Sequence, residues 1–308
     1  MNDNEKRNIA FIFLDGVGVG EKDAAVNPLF AAKLPTLSSM FGDMIPSIEN
    51  PRLINSACSV VPIDANLNIE GLPQSGTGQT ALFTGINAAE LIGKHFGPYP
   101  YSTLRPVIDE QNIFKKIERA GKRFYFANAY PKQFFDYVNS GKRRLTVTTM
   151  ACLQSGLPLH TAGDLRNGTA ISADITNERW DSLGYPDIQE IPAEEGGKRL
   201  AKIAKNHDLA LFEYFLTDHA GHKRDMDNAV RILERLDAFL KGFRDSMDGS
   251  TLLVMTSDHG NIEDLQTKTH TRNDVPLWVY GSDSAKFVDG ISSITDIAPR
   301  ILKWLNIT

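Results

Sequence analysis

The chain has 308 residues, 42% of them hydrophobic and 23% charged, with a formal net charge of -5. That size and apolar share suffice for one large domain with a substantial core, and the acidic balance argues against a nucleic-acid-binding scaffold. Its two cysteines, Cys58 and Cys152, lie far apart without metal-motif spacing, which excludes a thiolate-rich metal site and leaves two buried thiols as the plain reading.

The first residues, MNDNEKRNIAFIFLDG, carry only a short apolar run. It is too short for a secretion signal and far too short for a membrane span, so a cytoplasmic protein with no membrane association is expected. That run, IAFIFL (9–14), opens a series of apolar segments that read as buried parallel strands: FYFANA (124–129), LALFEYFL (209–216), TLLVMTS (251–257) and PLWVYG (276–281). Helical patterns at 80–92, 112–121, 194–206 and 226–243 alternate with them, and a last helix near 295–305 starts at a Thr295-Asp296 cap signal. Apolar strands alternating with helices predict an α/β fold, a doubly wound, mostly parallel sheet with helices on both faces. Between 130 and 187 the rhythm breaks, and this stretch reads as a small inserted cap on a core made of 1–129 and 188–308.

In sheets of this kind ligands bind beyond the carboxyl ends of the strands. Strand 9–14 runs into Asp15-Gly16, 209–216 into Asp218 and His222, and 251–257 into Asp258-His259, while His270 stands just before 276–281. A single acid after a strand is ordinary loop chemistry. Four such strand ends, all carrying Asp or His, form a donor set suited to divalent ions such as Mn or Zn. Two ions carry four positive charges, balanced by three carboxylates and one serine alkoxide, with room left for a phosphate. The serine comes from SGTGQTALFTG (75–85), where small and hydroxylated residues precede an apolar helix. Ser75 or Thr77 reads there either as a helix cap or as a nucleophile at the positive end of the helix. GVGVG after the first strand lacks the spacing of a dinucleotide fingerprint.

The segments FLDGVGVG, SGTGQTALFTG, TDHAGHKRD, SDHGN and THTRNDVPL together resemble the alkaline phosphatase superfamily, on the metalloenzyme branch of cofactor-independent phosphoglycerate mutase and phosphopentomutase. The five pieces occur in the family's order from residue 15 to about 277. The resemblance implies that Asp15, Ser75, Asp258 and His259 hold one divalent ion, that Asp218, His222 and His270 hold a second, and that Ser75 becomes phosphorylated. The eleven-residue step from His259 to His270 and the GHKRD segment are similar to phosphopentomutase. The mutases, however, carry a large cap, and here only about sixty residues remain for one once a core helix–strand pair is allowed for.

The expectation is a metal-dependent phosphatase acting on a small phosphorylated metabolite, with a phosphomutase as the alternative. Arg143, Arg144 and His219 are candidates for substrate contact. His95, His160 and His207 read as satisfied structural histidines. A sulfatase reading fails because no proline or arginine follows Ser75 at the required spacing. A Rossmann-type oxidoreductase explains the sheet without the Asp/His set, and a non-catalytic metal-binding module leaves the intact donor set without a use.

Overall fold

The computed structural model describes residues 7–141 and 144–307. Its seven-stranded sheet runs β2-β3-β7-β6-β1-β5-β4, with β1 Asn8–Leu14, β2 Leu53–Ile54, β3 Cys58–Ile63, β4 Phe124–Phe126, β5 Leu209–Tyr214, β6 Thr251–Thr256 and β7 Val275–Tyr280. Strands β4, β5, β1 and β6 are mutually parallel. Strand β7 runs antiparallel to both β6 and β3, which corrects the reading of 276–281 as another parallel strand. A continuous apolar run shows that a strand is buried on both faces but carries no mark of its direction. Strand β3 escaped the sequence reading, because Ser59 and Pro62 interrupt its apolar run.

Alternate residues of β1 feed two cores, as a period of two requires. Ile9, Phe11 and Phe13 join one core with Phe83, Val254, Leu277 and Phe287, while Ala10, Ile12 and Leu14 join the other with Phe212, Met255, Trp278 and Phe239. The helix Ser75–Thr84 packs on the first face, Phe83 meeting Phe13 edge-on at 5.5 Å. Helices Ala193–Asn206 and Met226–Arg244 cover the second, where Phe239 stacks on Phe212 at 5.1 Å. The pattern read over 80–92 is two helices, Ser75–Thr84 and Ala88–Ile92. Gly85, at φ 78°, ends the first of them. The last helix, Ile297–Trp304, follows a single 3-10 turn capped by Ser293, whose partner in the capping box is Asp296.

Segment 130–187 holds helices Lys132–Asn139, Val147–Gln154 and Ala162–Arg166. Val147, Met150, Ala151 and Cys152 sink into the first core, whereas Leu165, Ala170, Trp180 and Ile188 gather in a small cluster of their own. Arg235 clamps Glu178 with two hydrogen bonds of 2.8 and 2.7 Å, fastening this segment to the long helix beneath. Both cysteines are buried and free. Among the described residues no helix is long and apolar enough to cross a membrane.

Candidate metal and nucleophile site

Strand register brings the site together. Leu14 pairs with Tyr214, and Phe13 with Thr256, so Asp15, the helix Leu216–Lys223 that carries Asp218 and His222, and Asp258 leave the sheet at one edge. Strand β7 runs the other way, so the chain before its first residue lies at that same edge and delivers His270. Ile63, the last residue of β3, pairs with Val275, and the chain continues from there to Ser75. Reversal of β7 is therefore what lets a histidine before a strand meet acids that follow strands.

Seven side chains converge there. Asp15, Asp258 and His259 form one group, and Asp218, His222 and His270 a second, the ligand atoms within each lying within 4.8 Å of one another. Ser75 Oγ is 3.0 Å from His259 Nε2. The same nitrogen lies 3.3 Å from Asp15 Oδ1 and 3.6 Å from Asp258 Oδ2. In the second group, Nε2 of His222 and Nε2 of His270 are 3.2 Å apart, 3.4 and 3.6 Å from the oxygens of Asp218. The His259 and His270 rings stack at 3.8 Å, joining the groups.

The donor chemistry fits divalent cations. His270 Nδ1 lies 2.7 Å from the Pro73 carbonyl, and His222 Nδ1 lies 3.1 Å from that of Lys268. A carbonyl only accepts, so both Nδ1 atoms carry hydrogen and both Nε2 lone pairs face inward, the tautomer a metal ligand needs. Two lone pairs at that separation repel unless a cation lies between them or a proton is taken up. The Asp218 carboxylate, 3.4 Å from Nε2, raises the basicity of His222, because it would accept a hydrogen bond from a proton taken up there. Asp15 Oδ1 and Asp258 Oδ2 are buried and accept no hydrogen bond from the described residues, a costly condition for carboxylate oxygens.

Electrostatics agree with this donor set. Burial first, and then the charges of Asp258, Asp218 and Glu213, hold the Asp15 carboxyl well above its ordinary range. Burial and Asp218 push Asp258 up to about 7. Burial opposes ionisation of Asp218 too, but the neighbouring His222 and His259 imidazoles and the hydrogen bond from Asn261 hold it below the usual carboxylate range. Burial, reinforced by His259, brings His270 down to about 4, keeping its imidazole neutral.

Local structure explains the sequence of the serine segment. Gln74, not Ser75, stands at the cap position, and no side chain caps this helix. The Thr77 hydroxyl donates to the Gln74 carbonyl and accepts from the Phe96 amide at 3.2 Å, so Thr77 braces the neighbouring segment. A Cβ on Gly76 would lie 2.4 Å from the Tyr99 carbonyl oxygen, and one on Gly78 would lie 2.6 Å from that of Asp258. These glycines let the helix start press against both segments, which aims Ser75 at His259.

Several supporting residues lay outside the sequence reading. Glu263 accepts from the Gly18 and Asn261 amides at 2.9 and 2.7 Å and from the Thr271 hydroxyl, tying the first loop to those bearing His259 and His270. It fills the space beside Gly18, the reason a glycine stands there. Asn261 Nδ2 donates to Asp218 Oδ1 at 2.6 Å, and Gln79 Nε2 approaches Asp15 Oδ2 at 3.5 Å. Glu213 accepts from the Thr148 hydroxyl at 2.7 Å, and burial pushes its carboxyl up to about 7. A signal for Glu213 did exist, since it is the one acid inside the apolar run LALFEYFL.

Beside Ser75 opens a cleft of about 760 Å³ whose lining includes Arg144 and His219. Arg143 falls outside the described residues. His95 meets the Ile69 carbonyl, and His160 and His207 both pack on the Tyr125 ring, all three away from the ligand groups.

Residues 181–308 match the model of the metalloenzyme superfamily. The chain is 22% identical over 289 residues to the phosphopentomutase of Buchnera aphidicola subsp. Schizaphis graminum, covering 88% of this chain and 67% of that one. It is 32% identical over 204 residues to the 2,3-bisphosphoglycerate-independent phosphoglycerate mutase of Agrobacterium fabrum, covering 59% of this chain and 39% of that enzyme. A similar mutase from Methylobacillus flagellatus is 27% identical over 132 residues, 39% of this chain and 26% of its own length. The aligned stretches thus span from about a quarter to two thirds of these relatives. Among solved structures, PH0037 protein from Pyrococcus horikoshii superposes with a TM-score of 0.59, and the alkaline phosphatase of the Antarctic bacterium TAB5 with 0.54. Each is 14% identical to this chain, with 98% of both chains covered, and each shares its fold.

Proposed function

We propose that this chain, whose residues 181–308 match the metalloenzyme superfamily, is a metal-dependent phosphoryl-transfer enzyme that cleaves a phosphate ester through a phosphoserine at Ser75 and passes the phosphoryl group to water. The observation that carries this reading is the Ser75 hydroxyl, 3.0 Å from His259 Nε2 at the start of a buried ten-residue helix. Two divalent ions, Mn or Zn, are assigned to Asp15, Asp258, His259 and Ser75, and to Asp218, His222 and His270. When bound, such ions lower the pKa of a nearby hydroxyl and offset charge on a transferring phosphoryl group.

Ser75 Oγ forms the new bond to phosphorus while the ester oxygen departs, with a proton, as the alcohol. Water then attacks the phosphoserine, releasing inorganic phosphate and restoring the hydroxyl. The positive end of the Ser75 helix favours the anion through both steps. Gln79 and Asn261 hold Asp15 and Asp218 in place, and segment 130–187 serves as a small cap that shapes the site for the leaving group.

A screen of phosphate monoesters and diesters with added Mn or Zn, following free phosphate and isomerised product together, tests the proposal. Phosphate release with about two ions per chain by metal analysis is expected. Metal-free protein after careful reconstitution, or no turnover of any ester, overturns it. Phosphomutase is the second reading, favoured by the named relatives, and isomerised product without free phosphate selects it.

Arg144, exposed at the cleft, is assigned to a remote anionic group of the substrate. For Arg144→Ala the ratio of kcat/KM on 3-phosphoglycerate to that on glycerol 3-phosphate, which has a hydroxymethyl group in place of the carboxylate, should fall about two- to fivefold, the range for an exposed ion pair. An unchanged ratio removes Arg144 from substrate recognition.

A further inference from the structure

The cleft beside Ser75 is walled by aromatic rings drawn from separate parts of the chain. Tyr99 comes from the segment that braces the Ser75 helix, Phe134 and Tyr137 from helix Lys132–Asn139, and Phe215 from the end of β5. Tyr130 and Phe134 stack on each other at 4.2 Å, and both line the cleft. Helix Lys132–Asn139 has no fully buried residue; Phe134 packs against the first core and is only partly buried, so part of its ring remains at the cleft. Tyr99 keeps 38% of its surface exposed. Partly exposed rings gathered along a cleft beside a reactive group mark a binding surface.

Gln79 Oε1 and Asp15 Oδ1, beside Ser75, are unpaired among the described residues, but several polar groups on the 130–187 side of this lining are already engaged. Thr149 Oγ1 meets the Tyr130 and Thr146 hydroxyls at 3.3 and 3.0 Å. Glu213 accepts from Thr148, and the Tyr137 hydroxyl donates to the Arg144 carbonyl. Arg144 is the only lysine or arginine among the described lining residues. A polyhydroxylated leaving group needs several uncommitted hydrogen-bond partners to replace its water, and each one left unmatched costs affinity. A flat apolar ring needs none and gains from stacking.

We propose that the leaving-group side of the substrate carries a planar aromatic ring, held by Phe134, Tyr137 and Tyr99, and that the preferred esters are phosphates of aryl-bearing alcohols rather than of sugars or hydroxy acids. This rests on the assignment of Ser75 as the phosphoryl acceptor, and binding and turnover are measured separately so that the two ideas fail separately.

The turnover series uses 2-phenylethyl phosphate, glycerol 3-phosphate and ribose 5-phosphate, all esters of primary alcohols, so recognition and not leaving-group chemistry dominates the comparison. With Mn- or Zn-loaded protein, kcat/KM for 2-phenylethyl phosphate should exceed both others at least tenfold. Phe134→Ala should shrink that ratio fivefold or more, and Phe134→Leu, which keeps apolar bulk without the ring, should shrink it less. Calorimetry on the same loaded protein compares 2-phenylethylphosphonate with 2,3-dihydroxypropylphosphonate, neither of which can be hydrolysed. At least tenfold tighter binding of the aryl compound supports the proposal even if no ester turns over. Equal binding, a preference for the dihydroxy compound, or an aryl ratio untouched by Phe134→Ala overturns it, whatever becomes of Ser75.

Discussion

Ser75→Ala should abolish turnover, lowering kcat by about a thousandfold or more, while fold and most metal binding survive. The substitution removes one hydroxyl from a buried helix and leaves Asp15, Asp258 and His259 in one group and Asp218, His222 and His270 in the other. Because Gln74 holds the cap position, no cap is lost. The stability cost is one hydrogen bond to His259, about 1 kcal/mol. Ser75→Thr keeps a hydroxyl but crowds the in-line approach to phosphorus, so partial activity is expected. Thr77→Ala should behave in the opposite way, loosening the contact with Phe96 and costing stability more than rate. Acid quenching of the wild type during turnover should trap a phosphorylated peptide containing Ser75. An active Ser75→Ala protein would require a different nucleophile and end the phosphoserine reading.

Asp258→Asn should change the sign of its effect with metal. Asp258 is fully buried, and its carboxyl is pushed up to about 7, by burial first and the Asp218 charge second. A carboxyl whose pKa is raised on folding binds its proton more tightly in the native state than in the unfolded one, where it titrates near 4. Stability therefore falls as pH climbs from about 4 to about 7, and the full penalty is present above that window. Three pH units at about 1.4 kcal/mol each put it on the order of a few kcal/mol. In chelated protein at pH 8, Asp258→Asn removes that charge, and the melting temperature should rise by several degrees over chelated wild type. At pH 4 both side chains are neutral and the difference should vanish. With Mn or Zn added, the order should reverse, because wild type gains the stabilisation of a bound ion that the variant holds weakly. A chelated variant less stable than chelated wild type at pH 8 would mean that the Asp258 carboxylate is satisfied by the protein itself.

The sheet was legible in the sequence because strands buried on both faces need uninterrupted apolar residues, and runs such as IAFIFL and TLLVMTS have few other uses in a chain of this size. The acids and imidazoles at the strand exits were legible too, because an Asp or His just after a buried strand is chemically conspicuous. Strand direction was not. Hydrogen-bonding polarity leaves no trace in an apolar run, so only the assembled sheet showed that β7 turns back and carries His270 to the others. Nor did the segment SGTGQT reveal which hydroxyl did what. Cap, brace and nucleophile draw on the same residue types, and the neighbours that separate Thr77 from Ser75, namely Phe96 and His259, lie 19 and 184 residues away. Glu263 looked like any loop acid until the Gly18 loop, 245 residues away, closed onto it. The aromatic wall of the cleft belongs to the same class, since residues 99, 134 and 215 share no periodicity and meet only when the 130–187 segment folds over the sheet edge. Local sequence thus determined which residues are buried and which chemical types stand at the strand ends. Pairing across long stretches of chain decided how they meet, because distances set by tertiary packing are encoded in no single stretch.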